Sequence, residues 1–436
     1  NYNLSYPNFF KEYTRIEFTM KKQGKQSVGW LKRTLGPGIL FASTAIGVSH
    51  LVQSTRAGAN YGFSLLSFVI MANIFKYPFF EFGSRYANST KTSIITGYKK
   101  LGKWVLWLYF AATLFSMFFI TSAVGAVTSG FFQNLFQTSY YGIFNHIILL
   151  VLCGFILSYG QYNLLDKIIK IVGIGLVFST IIAFILVIKK GAVSNNLFPT
   201  VQYDEKDLLF IIALMGWMPT AVDLSSWNSL WTLERIKQTN YIPTLKQTLI
   251  EFNIGYAISS ILAICFLSLG AFIMFDTDNF FSNSSSIFAN QVITLYTEAI
   301  GNWTYIIISA ASFCIMFGTC IGVFDGYARV SNECIQLIKH KNINKKSYYS
   351  IFIWVLAFGS ICVIYLMGSK ITDLVDLATT ISFMIAPFIA FANYRLVLSP
   401  YLNESDTPKP WLKTLAIFGI LYLIGFGIIF IYVRVF

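Results

Sequence analysis

Runs of about twenty consecutive apolar residues recur along this chain, each long enough to cross the hydrocarbon core of a bilayer as a helix. They lie near residues 35–57, 63–83, 104–131, 143–159, 168–188, 207–231, 250–275, 303–324, 349–368, 373–396 and 411–433. In hydrocarbon every backbone polar group must be satisfied within the protein, which leaves helices and closed barrels as the spanning structures. These runs are too long for barrel strands and do not alternate apolar with polar residues. With 56% hydrophobic and only 12% charged residues, the expectation is an all-α polytopic membrane protein of about eleven transmembrane helices.

The basic residues orient the spans. With the N-terminus inside, segments 1–34, 84–103, 159–170, 231–249, 326–348 and 395–413 are cytoplasmic and hold most of the Lys and Arg. The outer segments 132–142 and 276–302 hold none. This positive-inside pattern predicts a cell-membrane protein with its N-terminus in the cytoplasm and its C-terminus outside. The net charge of +13 then faces anionic lipid, and the bilayer, not nucleic acid, is the expected partner. Asn1–Lys25 has no apolar signal-peptide core, so the first span is expected to act as the targeting signal. The six cysteines (Cys153, Cys265, Cys314, Cys320, Cys334, Cys362) form no CxxC pair and imply neither disulfides nor a zinc site. No P-loop or nucleophile triad appears, so an enzyme is not expected, and no cofactor is implied.

Two spans are interrupted. The first begins as an apolar helix in Gly36–Gly62 but meets Gly47-Val48-Ser49-His50 near its middle. The sixth, LLFIIALMGWMPTAVDLSSWNSLW, carries Gly216 and Pro219 at mid-span, and Pro219 lacks an amide hydrogen and clashes with the preceding turn. Glycine and proline often make harmless kinks in membrane helices. A matched pair at the starts of two five-span halves instead points to an inverted-repeat transporter with its site at the breaks. The expected organisation is a cytoplasmic segment 1–34, a 5+5 core over 35–396, and a loop with an eleventh helix over 397–436.

At these residues the sequence resembles the Nramp family of divalent-metal transporters. Gly36-Pro37-Gly38, the Ala57-Gly58-Ala59-x-Tyr61-Gly62 ending and Met218-Pro219 fall where that family has its GPG, AG-x-x-(F/Y)-G and MPH motifs. Arg85 and Thr96-Gly97 also fit. The resemblance implies a LeuT-like fold. It also marks departures: the family's Asp-Pro-Gly-Asn, whose Asp and Asn bind the metal, is here Gly47-Val48-Ser49-His50, and the His of MPH is Thr220. The acids that the family places along its third span correspond to Ala112, Phe119 and Ser122. Of the side-chain metal ligands only Met218 is kept.

The candidate substrate site comprises Gly47, Ser49, His50, Met218, Thr220, Ala221 and Asp223, with Thr379 near the Pro387 kink as a wall residue. A divalent metal needs carboxylate and carbonyl oxygens or softer donors; His50 and Met218 supply the latter, and Asp223 lies within a turn of Pro219. The half-helices that restart after each break offer amides near Ser49, His50, Thr220 and Ala221 to an anion instead. A small oxyanion such as bicarbonate is the favoured substrate here, a divalent metal the alternative, and a channel or leak a further one.

Sodium coupling is a second expectation. Sodium-coupled transporters of the LeuT-like fold often hold the ion between carbonyls at the first break, here near Ala45 and Val48, and hydroxyls on the eighth span, here Ser309, Ser312 and Thr319. Intramembrane charges are functional by default. Lys76 either serves the site, snorkels to the cytoplasmic face or pairs with Glu81, and Arg56 is expected in an outer vestibule, facing anions or lipid phosphate. Asp325 is read as a solvated or capping charge, and Asp373 and Asp376 as charges at a helix start. The oligomeric state stays open, a monomer being compatible with one chain that carries both halves.

Overall fold

A computed structural model describes residues 33–159, 162–277, 281–339, 345–367 and 370–435. Most of the 1–34 segment therefore lies outside the described residues. The first span is α1 (Pro37–Ala45), a π turn (Ser49–Ser54) and α2 (Thr55–Tyr61); the second is α3 (Leu66–Thr90). A short amphipathic helix, α4 (Ile94–Leu101), lies between spans and is capped by the Ser93 hydroxyl, which accepts from the Thr96 amide. Spans three to five are α5 (Lys103–Phe136), α6 (Ile143–Tyr159) and α7 (Tyr162–Lys190). The sixth is broken into α8 (Glu205–Gly216) and α9 (Leu224–Thr239). Then come α10 (Leu245–Ile273), a loop helix α11 (Ser285–Ile300), α12 (Tyr305–Lys339), α13 (Lys345–Met367), α14 (Ile371–Val397) and α15 (Pro410–Val435). All eleven expected spans are present as helices or broken helices. Among the described residues α5, α10, α12, α13, α14 and α15 are long and apolar enough to cross a membrane.

The packing carries the repeat. Span 1 packs on span 7 (α1 and α2 on α10), and its counterpart, span 6, packs on span 2 (α9 on α3). Span 3 packs on span 10 (α5 on α14), matched by span 8 on span 5 (α12 on α7). This correspondence between two five-span halves identifies the inverted repeat. The eleventh span stands outside it. Of α15 only Leu412, Ala416, Gly419, Leu423 and Gly427 are buried, a stripe three and four residues apart that lies against α3.

Small residues set the closest crossings, as expected where lipid is as apolar as the side chains and association relies on close packing. A Cβ on Gly58 would overlap the Leu267 carbonyl, and one on Gly270 that of Thr55, so α2 and α10 touch backbone to backbone. At the other end of the span Gly38 and Gly255 do the same for α1 and α10. The start of α1 has no cap of its own. Glu251 on α10 supplies one, its Oε1 accepting from the Gly36 and Gly38 amides at 2.9 and 2.8 Å.

Candidate functional site

The first break is short. Helix α1 stops at Ala45, the Gly47 amide turns back to the Ala45 carbonyl at 2.9 Å, and the π turn starts at Ser49. A Cβ on Gly47 would lie 2.6 Å from Thr319 Cγ2, so α12 packs where only glycine leaves room. The His50 and Leu51 amides both donate to the Gly47 carbonyl, at 3.1 and 2.9 Å, so the His50 amide is already used within the turn. Its ring is committed as well. Nε2 lies 2.8 Å from the Ser259 carbonyl, which can only accept, so Nε2 carries the proton and donates. Nδ1 lies 2.7 Å from the Ser49 hydroxyl, which also reaches the Ala45 carbonyl at 2.5 Å. The ring is fully buried against α10, edge-on to Phe266. Ser49 and His50 thus tie the π turn to its neighbours, with both ring nitrogens against protein atoms.

The second break is wider. Helix α8 ends at Gly216, which packs directly on the Thr379 carbonyl of α14, and α9 begins at Leu224. The breaks meet where the Ser54 hydroxyl of the π turn donates to the Met218 sulfur at 3.8 Å. Met218 is fully buried, and Thr220 and Ala221 nearly so. The amides of Thr220 and Ala221 donate no hydrogen bond within the described residues. Asp223 Oδ2 accepts from the Tyr327 hydroxyl of α12 at 3.2 Å, while its Oδ1 is buried and accepts from nothing among the described residues. Thr379 bonds its own backbone at Val375, 2.8 Å away, and accepts from Gln53 at 3.4 Å.

Lys76 belongs to this break. It is fully buried on α3, and its Nζ donates to the carbonyls of Met215, Gly216 and Thr220 at 3.0, 3.0 and 2.7 Å. It neither snorkels nor pairs with Glu81. Glu81 is held by Arg85 one turn along α3, and Arg85 also donates to the Asp406 carbonyl at 2.6 Å.

The profile of the Natural resistance-associated macrophage protein-like (Nramp) family matches residues 38–433. The chain belongs to the Nramp family. It is also similar to an uncharacterized protein of Pasteurella multocida (strain Pm70), 31% identical and covering 98% of each chain. Among solved structures it resembles a mutant of the Eremococcus coleocola manganese transporter, with a TM-score of 0.71 at 12% identity over 93% of this chain and 88% of that one. It also resembles MhsT bound to L-phenylalanine, with a TM-score of 0.57 at 12% identity over 93% and 100%. At such identities the likeness is one of fold, and it is the LeuT-like fold that the resemblance implied. This Nramp chain is therefore a multi-pass membrane transporter.

In this Nramp site the expected coupling hydroxyls do not converge. Thr319 lies at the first break and donates to the Ser43 carbonyl at 3.0 Å. Ser309 is ten residues earlier on α12, about 15 Å away along the helix, and donates to Asn134 at 2.9 Å. Ser312 is buried with no partner among the described residues. Ala45 and Val48 flank the break, the Ala45 carbonyl taking the bonds from Gly47 and Ser49. Among the described residues no three His, Cys, Asp or Glu gather as a metal-binding group.

Three charges differ from their sequence reading. Arg56 is engaged within the protein and not with lipid phosphate or a free anion: it pairs with Asp376 of α14 at 2.7 and 3.1 Å, bonds Gln53 at 3.0 Å and stacks over Phe210. Asp376 is thus half of a tie across the bundle and not simply a helix-start charge. Asp325 is not solvated. It is 4% exposed and collects Arg329, Trp231 and Tyr349 at 2.7, 3.0 and 2.7 Å. Gln53, Ser54, Tyr327 and Glu251 escaped the sequence reading, because nothing local marks which polar side chain meets a distant break.

Proposed function

We propose that this chain is a secondary transporter that carries a small inorganic ion by alternating access around the paired breaks, and that the ion is a divalent metal cation. Family membership supports that cargo ahead of bicarbonate. The observation that carries it in the site is Asp223 Oδ1, a buried carboxylate oxygen without a donor. An acceptor left so is costly, and a bound cation relieves the cost. Met218 adds a thioether at the same break, and carbonyls and water complete a shell of the kind that manganese accepts. The donor set is sparser than the family motif implies, so affinity should be modest. The test is manganese uptake into liposomes holding the purified protein and an entrapped indicator. Asp223→Asn and Met218→Ala should each cut it at least tenfold, and folded wild type that carries no Mn²⁺, Fe²⁺, Cd²⁺ or Mg²⁺ discards the metal reading.

A second reading, a small anion such as bicarbonate with sodium coupling, is favoured by the Lys76 ammonium and by the Thr220 and Ala221 amides that donate to nothing within the described residues. It requires bicarbonate uptake driven by a sodium gradient, with Thr319→Val abolishing the sodium dependence. We also propose that the N-terminus is cytoplasmic and that one copy of the chain suffices for transport, both resting on the arguments from sequence.

A further inference from the structure

We propose that Lys76 is the resident occupant of a monovalent-cation site built from the broken end of α8, tethered to the chain so that no mobile cation is needed there. Two of its three carbonyl partners, Met215 and Gly216, lie in the last turn of α8. There the carbonyls that lack an i+4 helix amide form the negative end of the helix dipole. The third, Thr220, comes from beyond Pro219, so the site exists only because the helix is broken. An ammonium has three hydrogens to donate and a neutral amine two. Three acceptors at 2.7–3.0 Å around a fully buried nitrogen therefore match the charged form. No carboxylate bonds this nitrogen: Asp223, the acid at the same break, makes its side-chain hydrogen bond with Tyr327. The charge is held by backbone oxygens, as dehydrated potassium is held in a carbonyl-lined filter. Three carbonyls of the break are thus occupied whether or not cargo is present, and a fixed positive charge stands beside the candidate substrate site.

The inference rests on no choice of cargo and is tested on the purified full chain. Melting temperatures of wild type and Lys76→Ala are compared in choline, sodium, potassium and ammonium chlorides at equal ionic strength. Wild type should melt alike in all four. Lys76→Ala should melt lower in choline and regain at least half of the loss in ammonium or potassium, whose ions fit the vacated carbonyls. Lys76→Met, which refills the space without charge or donors, should melt low and ignore the salt. A folded Lys76→Ala that ignores all four salts overturns the proposal, as does Lys76→Met melting like wild type, or wild type responding as strongly as the variant. If Lys76→Ala survives purification only in ammonium or potassium, the proposal is supported. If it survives in none, Lys76→Ser goes through the same panel, and no response there overturns it. Liposomes keep the two readings apart. A wild type that takes up neither manganese nor bicarbonate defeats the proposed function and leaves the melting result standing.

Discussion

His50 donates to the Ser259 carbonyl and shares its other nitrogen with Ser49, so removing the ring deletes both contacts and leaves a buried cavity beside α10. His50→Ala should cost about 1–3 kcal/mol, read as a lower melting temperature, while KM for the transported ion changes by less than about twofold. A tenfold rise in KM at unchanged melting would instead put the ring in the binding site. Asp223 predicts the opposite pattern. Its buried free oxygen is a burden on the fold, so Asp223→Asn should melt as high as wild type or higher while losing manganese uptake. At this scale the sequence was a partial guide. The residues beside Gly47 and Pro219 were identifiable because a break announces itself locally. The direction of the His50 ring was not, because Ser259 lies 209 residues further along the chain. Lys76 was legible as a buried charge, but its partners are backbone oxygens, which no side-chain pattern reveals.

Among the elements, α10 is the one that packs on both halves of the first span. Gly58→Val should abolish folded protein, since even a Cβ overlaps the Leu267 carbonyl; Gly425→Val on α15, where a Cβ meets nothing within 4 Å, should leave yield and melting unchanged. Comparing the two by size-exclusion profile and melting temperature checks that the glycine motif is a packing device. The Arg56–Asp376 pair joins α2 to α14 with side chains 12% and 34% exposed. Solvent screening there limits its coupling to about 1 kcal/mol or less, measurable with the Arg56→Gln, Asp376→Asn double-mutant cycle. Both partners were visible in the sequence as charges near span ends. Which charge faces which is decided by how two distant helices cross, and periodicity within each helix carries no information on that.

For the whole molecule, the eleven apolar runs and two interruptions were enough to anticipate the architecture, because the bilayer permits so few alternatives. Substrate choice was harder to read, since it depends on a handful of atoms that the family scaffold tolerates in more than one version. The orientation is open to a direct check. An impermeant maleimide should label Tyr140→Cys from outside intact cells and Gln238→Cys only after permeabilisation, and the reverse result would invert the topology.

The contacts along α10 also bear on how such a bundle can move. Helix α10 holds α1 through Gly38, Gly255 and Glu251, and holds α2 through Gly58 and Gly270, with His50 fastened between. Neither half of the first span can swing alone without tearing backbone from backbone. Under the alternating access proposed above, a motion that exposes the breaks to one side is expected to carry spans 1 and 7 together as a single lever.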